Sequence, residues 1–169
     1  KINKKDTVIG ISCSGAANYV ISSLEYSKKK FAKTVYLVTN KKPFRTTRVD
    51  VIIKVDTGPE IVTGSTRMKA GTATKMILNI ISTTTMIKLN KVYQNFMVDL
   101  KISNNKLTNR AINIVSQVTD LNKNESKNLI IKANGHVKNA ILMHLKNKNY
   151  IESCEILKKN NGSLRKSIE

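Results

Sequence analysis

Hydrophobic positions along this 169-residue chain fall into two regimes. In the first half, short β-branched runs come almost unbroken: TVIGIS at 7–12, TVYLVT at 34–39 and VDVIIKV at 49–55. Such runs lack the in–out alternation of a half-exposed strand, so they predict strands buried on both faces, as in a parallel sheet covered by helices. Between the first two runs, residues 19–31 carry apolar side chains at helical spacing, with Tyr19, Val20 and Leu24 on one side. Strand, glycine-bearing loop and helix in that order make a βα unit, and the fold class expected is α/β. Farther on, Ala73, Met76, Ile77, Ile80, Ile81 and Thr84 follow the i, i+3, i+4 pattern and predict a long core helix with a broad buried face.

From about Lys106 the pattern changes. TNRAINIVSQVT, KNESKNLIIKA, HVKNAILMHLK and YIESCEILKKN are short amphipathic stretches divided by Asn, Asp and Gly, which predicts a small helical bundle. NKNESKNLI contains a helix start, with Asn122 or Asn124 as cap and charged residues in the first turn. Three strand candidates make a thin sheet. The chain opens on Lys1 almost directly before a buried-type strand, so it reads as the later part of something larger.

Composition changes this picture only in places. Hydrophobic residues make up 40% of the chain, and no apolar run reaches the roughly 18 to 20 residues that span a bilayer. KINKKDTV has no signal-peptide core behind its basic start, and the expectation is a soluble cytoplasmic protein without a membrane partner. Cys13 and Cys154 belong to no CxxC pattern, and His136 and His144 have no companion carboxylates or cysteines, so no metal site is expected. The net charge of +19 is mostly lysine, spread through the chain and interleaved with Asn and Ile. An AT-rich coding sequence gives the same composition, and nucleic acid is not expected as a partner despite the charge.

Candidate chemistry gathers in two loops that follow strands, where open α/β sheets bind ligands. In the first, 12–18, Ser12 and Ser14 with Gly15 offer hydroxyls and backbone N–H groups ahead of a helix. In the second, 57–66, Ser65 and Thr66 do the same, and Glu60 could accept from sugar hydroxyls, act as acid or base, or sit at the favourable dipole end of the next helix. Two hydroxyl-bearing turns at one sheet edge suggest a phosphorylated sugar or polyol. GSTRMKAGT is not a Walker loop and GISCSGAAN is not GxGxxG, which disfavours a nucleotide.

The residues themselves match a family. SCSGAANYVISSLEYSKK, GPEIVTGSTRMKAGTATKMILN, KVYQNFMVDL and NGHVKNAILMHL resemble the N-acetylmuramic acid 6-phosphate etherases, members of the sugar isomerase (SIS) superfamily related to glucokinase regulatory protein. The resemblance runs from about Asp6 to the C-terminus. It implies half of a SIS-type parallel sheet over 1–105, flanked by helices, and a small helical, UBA-like domain over 106–169. It also implies a cytoplasmic, homodimeric lyase of peptidoglycan recycling that needs no cofactor. Such an enzyme cleaves the D-lactyl ether of N-acetylmuramic acid 6-phosphate by elimination and hydration, giving N-acetylglucosamine 6-phosphate and D-lactate. The family's catalytic glutamates lie on segments before the strand that here begins at Thr7, so no catalytic residue is expected in this chain, and the segment alone is expected to be inactive. Ser12, Ser14, Glu60, Ser65 and Thr66 carry over as substrate-binding candidates, with Lys69 as an anion contact or helix-surface residue. Ala16 and Ala17 stand where relatives often have polar or charged residues. A non-catalytic sugar-phosphate-binding SIS module is the alternative reading.

Overall fold

A computed structural model describes residues 1–169. Strands β1 (Thr7–Ile11), β2 (Lys33–Val38) and β3 (Val51–Lys54) form a parallel sheet in the order β1-β2-β3. The register sets Gly10 beside Tyr36 and Tyr36 beside Ile52. Helix α1 (Asn18–Lys29) makes the crossover that parallel pairing of β1 and β2 requires, and it packs on both strands. Leu24, Tyr36 and Val38 are the buried centre of that contact, with Val8, Val20, Ile21 and Val49 around it.

Gly10 permits the close approach of α1. A Cβ there would lie 2.7 Å from Leu24 Cδ1 and 2.8 Å from Val20 Cγ1. Both neighbours are core side chains with little freedom to retreat. The other crossover, from β2 to β3, has no helix and is tied instead at its far end. Asp50 accepts from Thr34 N and Thr34 Oγ1, both at 2.8 Å, and returns its own N–H to Thr34 Oγ1 at 3.1 Å. The side-chain and backbone bonds from Thr34, with help from Lys28 at 3.3 Å, hold the Asp50 carboxyl down at about 2.

Two expectations from the hydrophobic pattern need correction. Only β2 is buried as a two-sided strand, with Tyr36, Leu37 and Val38 at 0–1% exposure. Ile11, Val51 and Ile52 stand 38–52% exposed, because β1 and β3 are both edges of a three-stranded sheet. Helix α2 (Lys69–Lys88) forms as predicted, but Ala70 is its one buried residue. Met76 and Ile80 are exposed, so the apolar periodicity marks an amphipathic helix rather than a core one.

The chain divides into two compact units, 1–81 and 82–169, with the boundary inside α2. The second unit opens with a hairpin of β4 (Val92–Tyr93) and β5 (Phe96–Met97), turned through Gln94 in a left-handed conformation. Five helices follow: α3 (Asn105–Thr119), α4 (Lys123–Lys132), α5 (Val137–Leu145), α6 (Tyr150–Lys159) and α7 (Leu164–Ile168). They close over one core that includes Val98, Val115, Val137, Ile141 and Leu142.

Asparagine punctuates this unit. Asn104 caps α3, while Asn122 with Glu125 and Asn149 with Glu152 form capping boxes at α4 and α6. Asn134, Asn147 and Asn161 take the left-handed position after α4, α5 and α6. Lys138, largely buried, donates to Gly162 O at 3.0 Å and lies 3.7 Å from Asp99, which also faces Lys91 at 3.5 Å. No helix is long and apolar enough to cross a membrane.

Two measurements check this account. Gly10→Ala is expected to destabilise the chain by about 1–3 kcal/mol, read from the urea midpoint, because the added methyl overpacks Leu24 and Val20. The Asp50 carboxyl binds its proton more weakly folded than unfolded, so its contribution is present above pH 3.8 and lost as pH falls toward about 2. Asp50→Asn should therefore flatten acid unfolding across that window, and an unchanged acid limb would remove Asp50 from the account.

Candidate functional site

The three strands of the first unit end at one edge, and the loops that leave them are stitched together there. Thr39, just after β2, donates both its N–H (3.2 Å) and its hydroxyl (3.3 Å) to Cys13 O in the loop after β1. Thr57, in the loop after β3, donates its hydroxyl to Thr39 O at 3.1 Å. Asn40 Nδ2 and Phe44 N both reach Ser14 O at 3.3 Å. Gly15, with φ of 80°, lies so close to Pro43 that a Cβ would stand 2.5 Å from the proline ring. Three separate loops are thus held as one surface by backbone carbonyls and short polar side chains.

That surface encloses a cavity of about 240 Å³. Its polar lining comes from Ser14, Thr39, Asn40, Asp56, Thr57, Glu60 and Thr66, with Cys13, Gly58, Gly64 and Ala70 completing the wall. No lysine or arginine lines it, whereas two carboxylates do. Asp56 accepts from Gly58 N at 3.2 Å, an Asx turn that shapes the loop after β3. Hydroxyls, an amide and carboxylates around a small open cavity suit a neutral polyhydroxyl group, because each partner hydroxyl can both donate and accept.

The sequence-predicted residues divide. Ser14, Glu60 and Thr66 line the cavity. Ser12, Ser65 and Lys69 do not. Ser12 is 8% exposed and its N–H still bonds to Leu37 O, extending the sheet. Ser65 belongs to a turn, donating to Val62 O and accepting from Arg67 N. Lys69 spends its ammonium on Pro59 O at 2.8 Å. In the first loop, Gly15 N bonds to Ser12 O and Ala16 N to Ser14 Oγ, so these donors are used within the loop. Ala17 stands at the N-cap of α1 without a side-chain cap bond.

Glu60 has a further role. Its Oε2 accepts from Lys69 N at 3.1 Å and its Oε1 from Ala70 N at 2.9 Å, so the carboxylate caps α2 from nine residues upstream. The Ala70 N–H, and after it the Lys69 N–H and ammonium, hold its carboxyl below the ordinary glutamate range against the opposing pull of desolvation. Each oxygen keeps a lone pair for a ligand, but the group stays ionised near neutrality.

Sequence reasoning passed over Thr39, Asn40, Asp56 and Thr57. A signal was present: each lies one to three residues beyond a strand end, the place where an open parallel sheet presents its loops. No group of three His, Cys, Asp or Glu residues lies close enough together to hold a metal ion.

A parallel α/β sheet with its loops gathered at one edge, followed by a helical unit, is a SIS-type architecture. Residues 94–160 match the family model described as the C-terminal lid domain of glucokinase regulatory protein. The whole chain is 47% identical to an N-acetylmuramic acid 6-phosphate etherase of Pseudothermotoga lettingae, of which it covers 56%. It is 46% identical over its full length to the protein of that name from Mycoplasma mycoides, again covering 56%. A third relative of the same name, from a Geobacillus species, is 48% identical over 99% of this chain, which spans 57% of it. By sequence the chain is similar over its whole length to the N-acetylmuramic acid 6-phosphate etherases, and it spans little more than half the length of these relatives.

Glu60→Gln tests the capping role. The amide replaces one of the two accepting oxygens by an NH2 that faces a backbone N–H, and the charge at the helix dipole is gone, so the melting temperature should fall without any ligand present. An unchanged melting temperature would return Glu60 to the cavity alone.

Proposed function

We propose that this chain forms part of the sugar-binding region of an N-acetylmuramic acid 6-phosphate etherase. The whole protein then breaks the D-lactyl ether of N-acetylmuramic acid 6-phosphate in the cytoplasm, as a homodimer. On this reading, residues 1–105 are the later part of a SIS domain and 106–169 an appended helical domain. The supporting observation is the cavity at the strand ends, whose hydroxyl, amide and carboxylate lining suits the hydroxyl groups of a hexose. A base removes the proton next to the sugar carbonyl. A group that carries a proton delivers it to the ether oxygen as the carbon–oxygen bond breaks and lactate leaves. Water then adds to the unsaturated sugar.

Glu60 does not suit the acid, because two backbone N–H groups keep it ionised. On this reading the chain supplies sugar contacts through Ser14, Asn40, Thr57 and Thr66, and a group other than Glu60 gives the proton to the lactyl oxygen. The same observation favours a second reading, in which the chain binds an amino sugar phosphate without turning it over.

A lactate-release assay with N-acetylmuramic acid 6-phosphate, run beside a thermal-shift titration with N-acetylglucosamine 6-phosphate, tests both. No lactate with a rise in melting temperature is expected, corresponding to about 2.7 kcal/mol when the ligand is at 100 times its Kd. Lactate release would show that the chain holds its own acid and base. The absence of any thermal shift would reject the sugar-binding role of the cavity.

A further inference from the structure

Five of the helices end on a left-handed residue, and the choice is uniform: Asn90 after α2, Asp120 after α3, then Asn134, Asn147 and Asn161. These short polar side chains tolerate positive φ. Helix α1 ends differently, on Phe31, with φ of 62° and 82% of its surface exposed. A bulky aromatic is both conformationally costly at such a position and hydrophobically wasted. The fold gains nothing from it that asparagine or glycine would not supply better.

What surrounds Phe31 gives the choice a use. Phe31 lies at a slot of about 200 Å³ lined also by Lys28, Ala32, Lys33 and Asp50, at the end of the sheet where β2 and β3 begin. The Asp50 carboxylate is already bonded to Thr34 and Lys28. Lys29, Lys30 and Lys33 are exposed and without a carboxylate partner, and Lys30 lies 5.6 Å from the centroid of Tyr26, a second ring that is 55% exposed. Exposed aromatic rings interleaved with ammonium groups can stack on bases while the cations meet phosphates.

We propose that this edge of the sheet binds single-stranded nucleic acid, with Phe31 stacking on a base in the slot and Lys29, Lys30 and Lys33 engaging the neighbouring phosphates. This assigns a site to part of the positive charge that composition alone attributes to codon usage. The closely set ammonium groups of Lys29, Lys30 and Lys33 beside an exposed ring match the spaced phosphates and bases of a nucleic acid strand.

Fluorescence anisotropy of the full chain with a labelled single-stranded oligodeoxythymidine, over a range of KCl concentrations, tests the proposal. Phe31→Gly suits the left-handed backbone and should raise the melting temperature while weakening binding about 5- to 100-fold. Replacing Lys29, Lys30 and Lys33 by serine should lower the log–log salt slope by about 2. Replacing the exposed Lys101, Lys132 and Lys146 by serine should leave the affinity almost unchanged. Several results would overturn the site: no binding, unaltered affinity of Phe31→Gly, or equal losses from the two lysine sets. Phe31-dependent binding to phosphatidylglycerol vesicles with none to the oligonucleotide would overturn it in favour of a membrane surface. The sugar-binding cavity stands or falls separately, because its residues are untouched by these variants.

Discussion

The first unit depends on the parallel pairing of β2 with a neighbour on each side. Its register with β1 and β3 brings the three strand ends to one edge, so that Cys13, Thr39 and Thr57 fall within hydrogen-bonding reach. Parallel pairing also demands a crossover, and α1 can make it at such close range because Gly10 has no side chain. The buried residues follow the same logic. β2 alone is covered along both edges, and it holds the strand residues with almost no exposure. The cavity and its loops are consequences of that arrangement rather than an addition to it.

The strands and helices were legible in the sequence because each has a local cause. Unbroken β-branched runs have few alternatives to a strand, and Asn122 three residues before Glu125 has the spacing of a capping box, which the structure contains. Burial was less legible. Periodicity reports that one side of α2 is apolar, and Met76 and Ile80 are indeed on a helix, but periodicity does not report whether anything in the chain covers them. The hairpin at Val92–Met97 went unread because two-residue strands are too short to establish a period, and its turn uses Gln94 in place of the usual Asn or Gly.

For the site, sequence reasoning found residue types and the structure decided their employment. Ser14 and Thr66 reach the cavity, while Ser12 is taken into the sheet and Ser65 into a turn. Hydroxyls so close in sequence diverge because Ser12 still continues the sheet while the chain turns back at Gly15, and Ser65 sits within a turn closed on Val62. Thr39 was missed for the converse reason. It ends an unremarkable apolar run, and only the pairing of distant strands shows that it meets Cys13 and Thr57.

Glu60 shows how far a structural role can constrain a chemical one. A glutamate lining a polar cavity invites assignment as acid or base, yet a carboxylate that accepts two N–H bonds at a helix N-terminus is stabilised in its charged form. Protonating it would weaken these charge-assisted bonds and give up the favourable interaction with the helix dipole. A departing alkoxide oxygen needs a donor that is protonated before the bond breaks, and Glu60 is held in the opposite state. Its remaining lone pairs face the cavity, free to accept from a ligand's hydroxyl groups. The cap that orders α2 and one wall of the cavity are then the same carboxylate, so loss of one would disturb the other.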